Sequence, residues 1–157
     1  MAKIDVTNEA TNEAVIDGPP MMVYTTFLNE FFGVTEWWMP HIRFNPLGSI
    51  ARVGECFDAT INPESRNSLR CSAKVTKLVE GKLIQLEYAG DFVGTGVYTF
   101  EPRDERTRTR FRFSVRPKKL LFRLITPFVD TAKAHSEVME LGFKACNDYL
   151  AQKSGRR

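Results

Sequence analysis

One amphipathic stretch near the end of the chain, from residue 126 to about 152, constrains the fold more than any other feature. Thr126-Pro127 is typical of a helix start. The Thr side chain can accept a hydrogen bond from a free N–H group of the first turn, and Pro at the first helical position loses no hydrogen bond, because the N–H it lacks would have no partner in the helix. A helix of roughly 26 residues is about 39 Å long. Its uncharged side follows the three- and four-residue spacing of one helix face: Phe128, Ala132, His135, Met139, Gly142, Cys146 and Leu150. Another part of the chain must therefore cover this face.

Residues 42–116 have the two-residue periodicity of β-strands instead. Clusters of turn-forming residues separate the alternating segments, for example at 62–67 and at Glu80-Gly81. Links this short join antiparallel neighbours, so an antiparallel meander is predicted. Its strands are 42–44, 54–62, 68–79, 82–89, 92–101 and 106–116.

The segment before this sheet predicts one more strand and two short helices. Residues 10–17 alternate weakly, a Gly-Pro-Pro turn at 18–20 opens a helix over 21–32, and Gly33 ends it. Residues 34–39, with Trp37 and Trp38, predict a short second helix or a turn. The fold class is therefore α+β in a single domain over 1–157, with loose ends at 1–9 and 153–157. A curved sheet around one long helix rarely fills completely, so an internal cavity is expected.

Composition limits the classes of partner. A chain of 157 residues with 43% hydrophobic and 26% charged residues is ordinary for a soluble globular protein. The net charge of +3 is too weak to indicate a nucleic-acid partner. No apolar run has the length of a membrane span, and no signal peptide is evident. We therefore expect a cytoplasmic protein, monomeric or homodimeric, without stable membrane insertion.

The cysteines predict reduced thiols. Cys56, Cys71 and Cys146 have no CxxC spacing, so neither a metal site nor a cofactor is predicted. A turn at 62–67 would bring the strands of Cys56 and Cys71 together. However, the alternation of apolar residues points Cys56 outward and Cys71 inward, and side chains on opposite faces cannot form a disulfide.

Several of these features together resemble the START-like, helix-grip superfamily. They are the element order, the Gly-Pro-Pro turn at 18–20, the double Trp, the sequence GTGVYTF at 94–100 and the terminal amphipathic helix. Within the superfamily the chain is most similar to the polyketide cyclase/dehydrase and lipid-transport group, which also resembles the birch-pollen allergen fold. The resemblance spans about 8–150 and implies a β-α-α-β6-α order with a hydrophobic cavity between sheet and last helix. Known members bind lipids, sterols, polyketides, quinones or plant hormones, and a minority are enzymes.

Strand parity predicts which side chains would line such a cavity. Tyr88 and Tyr98 supply the inward ring hydroxyls, and we expect Gly94 and Gly96 to leave space beside them. The alternative is a packed core, which is the commoner role for any one of these residues. The predicted ligand-binding residues are Trp38, Phe57, Cys71, Leu86, Tyr88, Tyr98, Phe100, Phe113, Phe128, His135 and Met139.

His135 stands in the middle of the apolar stripe of the last helix, where its polar ring needs a partner. Two interpretations stay open. It is a core histidine bonded to a tyrosine or a carbonyl, or it contacts a ligand headgroup or acts as a general acid or base. Tyr88 and Tyr98 are its predicted partners in both. No nucleophile–base–orienter set is evident, so catalysis stays open, with His135 as the candidate.

An outward row of arginines follows the last predicted strand. Such a row can dock an acidic partner, but it lacks interleaved exposed aromatic residues and Glu101 would partly neutralise it. The alternative is an ordinary solvated sheet face. The row comprises Arg106, Arg108, Arg110, Arg112 and Arg116.

The sequence favours a protein that binds or transports a hydrophobic small molecule, such as a lipid, a polyketide or an aromatic compound. The cavity between sheet and C-terminal helix would hold it. One alternative is a cyclase or dehydratase that uses His135 as acid or base. The other is a protein-interaction module that uses the arginine row.

Overall fold

The sheet has seven antiparallel strands in the computed structural model, which describes residues 8–48, 50–66, 68–117 and 131–155. Its order is β1-β7-β6-β5-β4-β3-β2, so consecutive strands are neighbours except that β1 pairs with β7. The predicted α+β helix-grip fold is confirmed, because this sheet forms a curled half-barrel with a helix at the C-terminal end of the chain. The elements in chain order are β1 (Asn8–Ile16), α1 (Pro20–Phe31), β2 (Ile42–Pro46), β3 (Cys56–Ile61), β4 (Leu69–Val79), β5 (Leu83–Gly90), β6 (Phe92–Arg103), β7 (Arg106–Pro117) and α2 (Thr131–Lys153).

The tight turns lie where the sequence predicted them. Gly81, between β4 and β5, has a φ of 71°, and Asp104, between β6 and β7, has a φ of 56°. Gly adopts this left-handed region without a steric penalty, and Asp tolerates it better than most residues. We had expected Asn8 and Glu9 to be loose. They belong to β1 instead, because they pair with residues of β7.

The segment after α1 is a series of turns, so α1 is the one helix between β1 and β2, and the second helix of the β-α-α-β6-α order that the resemblance implied does not form there. The sequence had allowed a short helix or a turn here. The turn forms because donors of this segment bond to a side chain instead of to helical carbonyls. The Thr35 hydroxyl and the backbone N–H groups of Trp37 and Trp38 all donate to the carboxylate of Glu30.

The predicted inward face of the sheet is confirmed. The side chains of Phe57, Ala73, Leu86, Tyr98 and Phe100 are each 3% exposed or less. They alternate with exposed or half-buried positions along their strands. The core therefore lies on the concave side of the sheet.

The predicted cysteine geometry is also confirmed. Cys71 pairs with Ala59 across the β3–β4 ladder, whereas Cys56 pairs with Lys74, so the two thiols lie on opposite faces. All three cysteines are free; Cys71 and Cys146 are buried and Cys56 is half-buried.

Thiol reactivity should follow this burial. Burial raises the pKa of Cys71 and of Cys146 to about 12, with smaller contributions from nearby carboxylates. At pH 8 such a thiol is only about 0.01% ionised, and the thiolate is the reactive form. In the native protein we expect DTNB to modify Cys56 alone on a timescale of minutes, and all three thiols in urea. Rapid native reaction that persists in Cys56→Ser would contradict this.

Candidate functional site

α2 is anchored to the sheet through its C-terminal half. The Asn147 amide donates to the backbone oxygen of Val15 at 3.2 Å and accepts from the N–H of Asp17 at 2.8 Å. Earlier in the helix, the indole nitrogen of Trp38 donates to the backbone oxygen of Val138 at 3.4 Å. These bonds fix the helix to β1 and to the segment that follows α1.

The predicted apolar stripe of this helix is confirmed where side chains are described. Its buried members are Met139, Gly142, Cys146 and Leu150, together with Phe143. On the opposite side of the helix, Glu140 and Lys144 are exposed, as expected for an amphipathic helix. The predicted first turns, including Thr126-Pro127, lie outside the described residues.

The part of the core next to α1 is filled with aromatic rings. Phe27 lies 6.0 Å from Trp38 and 5.7 Å from Phe100, measured between ring centroids. Phe31 stacks on Phe57 at 5.1 Å with an interplanar angle of 7°. Trp38, Phe57 and Phe100, all predicted as ligand-binding residues, thus lie in a packed aromatic group.

A second aromatic group lies farther from α1, on β5, β6 and β7. Tyr88, Phe92 and Phe113 contact one another with centroid distances of 5.7 to 5.9 Å. Tyr98 joins the two groups, because its ring lies 5.3 Å from Phe27 and stacks on Phe111 at 4.1 Å. The predicted residues Cys71, Tyr88, Tyr98 and Phe113 thus belong to this half of the concave side. Leu86 and Met139 are buried on the same side of the sheet.

Tyr88 and Tyr98 contribute ring hydroxyls to this half. The two side chains are 7% and 3% exposed, and within the described part of the chain neither hydroxyl has a hydrogen-bond partner. Burial raises the pKa of both, and Cys71 lies near enough to add to the effect. Both hydroxyls therefore stay protonated at neutral pH, and each can donate one hydrogen bond and accept another.

The two strand glycines do not open the space that we expected beside the tyrosines. A Cβ added to Gly96 would lie 2.8 Å from the Tyr88 hydroxyl and 2.7 Å from the Phe111 ring. At Gly94 it would overlap the backbone oxygen of Ser114. These glycines are required because rings pack over one and a neighbouring strand approaches the other.

Two predicted site residues are incompletely described. Phe128 lies outside the described residues, and so does the side chain of His135. The backbone of His135 lies in α2, one turn before the buried Met139. Its predicted contact with Tyr88 or Tyr98 therefore stays a prediction.

The segment that ends at His41 and the β3–β4 turn are joined to each other. The N–H of Asn62, at the start of the β3–β4 turn, donates to the backbone oxygen of His41 at 2.7 Å.

Sequence reasoning missed Glu30, a carboxylate of α1 that is 1% exposed. It accepts hydrogen bonds from the Thr35 hydroxyl at 2.8 Å and from the N–H groups of Trp37 and Trp38 at 3.0 and 2.7 Å. Burial raises its pKa, and these hydrogen bonds oppose the rise. A signal was available, because Glu30 falls three residues after Phe27 on the apolar face of α1.

Three arginines of the row pair with carboxylates on β1 or directly after it. Glu13 accepts from Arg108 at 3.0 Å and from Arg110 at 3.1 Å, and these bonds lower its pKa. Asp17 lies 3.8 Å from Arg106. The β1–β7 pairing places these acidic side chains beside the row. Docking of an acidic partner stays a prediction, with part of the row already engaged.

Solved structures share this fold at low sequence identity. Protein TTHA0849 from Thermus thermophilus is 18% identical with a TM-score of 0.72, over 94% of this chain and 99% of that one. Ara h 8.0201 is 14% identical with a TM-score of 0.68, over 93% and 99%. Norcoclaurine synthase from Thalictrum flavum, solved with dopamine and hydroxybenzaldehyde, is 12% identical with a TM-score of 0.64, over 94% and 88%.

The other comparisons and the helices add two findings. No protein-family model and no curated protein matches the chain. Among the described residues, no helix is both long enough and apolar enough to cross a membrane. The curled seven-stranded sheet, the C-terminal helix and the structural neighbours together identify the fold of this chain as the START-like helix-grip fold.

Proposed function

We propose that this protein binds a hydrophobic small molecule on the concave side of the sheet, in the half away from α1. The observation that carries the proposal is the pair of tyrosines Tyr88 and Tyr98, which are 7% and 3% exposed on the concave side and whose hydroxyls bond to no described residue. Buried polar groups are normally bonded to protein, water or ligand. We assign these hydroxyls, with His135 on α2, to the polar end of the ligand.

The chemistry of this half supports an aromatic or otherwise apolar ligand. The rings of Phe92, Phe111 and Phe113 offer apolar contacts, and burial of apolar surface contributes about 25 cal/mol per Å². Two or three polar groups would then orient the molecule. The neighbour solved with dopamine and hydroxybenzaldehyde favours an aromatic compound over a long-chain lipid.

Native mass spectrometry of the purified protein tests the proposal most directly. We expect a species heavier than the bare chain by the mass of one small molecule. A second test uses 2-naphthol, a neutral aromatic probe with one hydroxyl, and follows the methyl signal of the buried Met139 in protein with carbon-13-labelled methionine methyls. Absence of a co-purified molecule together with an unchanged Met139 signal would refute the proposal.

Tyr98→Phe is expected to weaken 2-naphthol binding about two- to twelvefold, because one hydrogen bond contributes about 0.5–1.5 kcal/mol. Tyr24→Phe is the control, because Tyr24 is also largely buried, at 6% exposed, but packs edge-on against Phe100. Equal affinity of Tyr98→Phe and the wild type would remove Tyr98 from the site.

An enzyme of the cyclase or dehydratase type, with His135 as acid or base, is the second candidate. The observation that favours it is the likeness to norcoclaurine synthase. Assays with dopamine and hydroxybenzaldehyde separate the two candidates. Loss of turnover in His135→Ala at unchanged affinity would indicate catalysis, whereas loss of affinity alone would indicate a binding protein.

A further inference from the structure

A groove with a volume of about 380 Å³ lies on the outer side of α1, where the C-terminal end of α2 passes it. This volume is within the range of about 300–1,000 Å³ that small-molecule sites occupy. Its walls come from Met22, Thr25 and Asn29 on α1 and from Tyr149 and Lys153 on α2. It is separate from the proposed interior site, which lies on the concave side of the sheet.

The apolar part of the groove consists of methionine and aromatic surface. Met21 and Met22 are 48% and 49% exposed, and Tyr149 packs only partly into the core. Methionine is more often buried than exposed, and its flexible thioether adapts to ligands of different shape. The groove therefore offers a site for a short hydrocarbon or a ring.

The charge that the described residues bring to the groove is positive. Of the described residues that line the groove, Lys153 alone is charged, and no described carboxylate lies within ion-pairing distance of it. Its ammonium group lies 6.0 Å from the centre of the Tyr149 ring, so both side chains belong to the same end of the groove. Lys153 is thus available to an anion from outside.

Neutral hydrogen-bonding groups accompany the cation. The side chains of Thr25 and Asn29 make no hydrogen bond within the described part of the chain, whereas the Thr35 hydroxyl is engaged by Glu30. Glu30 itself is 1% exposed, and its oxygens accept bonds from inside the fold, so it presents no carboxylate to the groove.

From this combination we propose that the groove between α1 and the end of α2 is a second binding site, for a small amphipathic anion such as a short aliphatic or aromatic carboxylate. The hydrocarbon part lies on Met21, Met22 and Tyr149. The carboxylate pairs with Lys153 and accepts from Thr25 or Asn29. The site does not depend on the interior site, because the two share no lining residue.

Methionine methyl NMR distinguishes the two sites. Met21 and Met22 report on the groove, and the buried Met139 reports on the interior. With hexanoate as the probe, we expect saturable shifts of the Met21 and Met22 signals, and weaker binding of the neutral analogue hexanamide. Signals are assigned with Met21→Leu and Met22→Leu. Shifts confined to Met139 would refute the groove site while supporting the interior one.

Charge variants of α2 complete the test. Lys153→Gln should weaken hexanoate binding about two- to fivefold, the factor expected for one exposed ion pair. Lys153→Arg should retain binding, and Lys144→Gln on the opposite, exposed face of the helix should leave it unchanged. Circular dichroism checks that each variant is folded. Equal binding of hexanoate and hexanamide, or indifference to Lys153→Gln, would overturn the proposal.

Discussion

Gly142→Ala is expected to lower the free energy of unfolding by about 2–3 kcal/mol, although alanine normally stabilises a helix interior relative to glycine by about 1 kcal/mol. The reason is the indole ring of Trp38, which is fully buried against this glycine. An added Cβ would lie 2.5 Å from the indole nitrogen and would overlap two ring carbons still more closely. Urea unfolding followed by circular dichroism measures the change.

The cause can be isolated with a double-mutant cycle. Trp38→Phe removes the part of the ring that meets the new methyl group, so it should cost less in the Gly142→Ala background than in the wild type. Leu141→Ala, at a neighbouring and 42% exposed position, is the control and should change stability by less than about 1 kcal/mol. If Gly142→Ala instead raised the free energy of unfolding, the Trp38 ring would not pack against Gly142 of α2.

Glu30→Ala is the second large effect, with an expected loss of about 3 kcal/mol. The substitution orphans the Thr35 hydroxyl and the N–H groups of Trp37 and Trp38, and each unpaired buried donor costs about 1–3 kcal/mol. Removal of a buried carboxylate offsets part of that cost. Glu30→Gln should lower the free energy of unfolding by less than Glu30→Ala. The amide oxygen can still accept the hydrogen bonds from Thr35 and Trp37, and only the bond from the Trp38 N–H is lost, because the amide nitrogen then faces it. The exposed Glu140→Gln is the control.

The pH dependence of Glu30 has a definite sign. Burial raises its pKa in the folded state above the ordinary value of 4.5, so the native protein holds this proton more tightly than the unfolded chain. The stability margin of the wild type over Glu30→Gln is therefore largest below pH 4.5. It falls as the pH rises from there through the raised pKa, and is constant above it. Urea unfolding of both proteins from pH 4 to pH 8 measures the margin, and a margin that grows with pH would contradict the assignment.

Together these two residues connect α1 to α2. Glu30 holds the backbone of Trp37 and Trp38 at the end of α1, and Trp38 then packs on Gly142 of α2. Both variants should therefore loosen the helix that covers the concave side of the sheet. We expect weaker binding of 2-naphthol in each, as a consequence of a displaced α2 rather than of a lost ligand contact.

Local pattern predicted most of the secondary structure and the inward face. The alternation around Phe57, Leu86 and Phe100 was sufficient, because a strand exposes successive side chains to opposite sides whatever its neighbours are. The same parity separated Cys56 from Cys71. Turn chemistry placed the tight turns, since a positive φ restricts the residues that can occupy it.

The candidate site was predictable only in part. Parity placed Tyr88 and Tyr98 on the inside, but it could not show which rings pack against α1 and which lie beyond it. That division depends on where α1 meets the sheet. It also reversed the interpretation of Gly96, whose missing side chain makes room for the rings of Tyr88 and Phe111 rather than for a ligand.

The sequence by itself determined the order of elements, the antiparallel meander and the apolar stripe of α2, because these follow from spacing along the chain. Only the tertiary structure decided that Glu13 pairs with Arg108 and Arg110. It also decided that the Glu30 carboxylate accepts a hydrogen bond from the Trp38 N–H and that the Trp38 ring packs against Gly142. The physical reason is that each of these contacts joins different elements of the fold. Its partners are selected by packing in three dimensions, and periodicity carries no information about which elements meet.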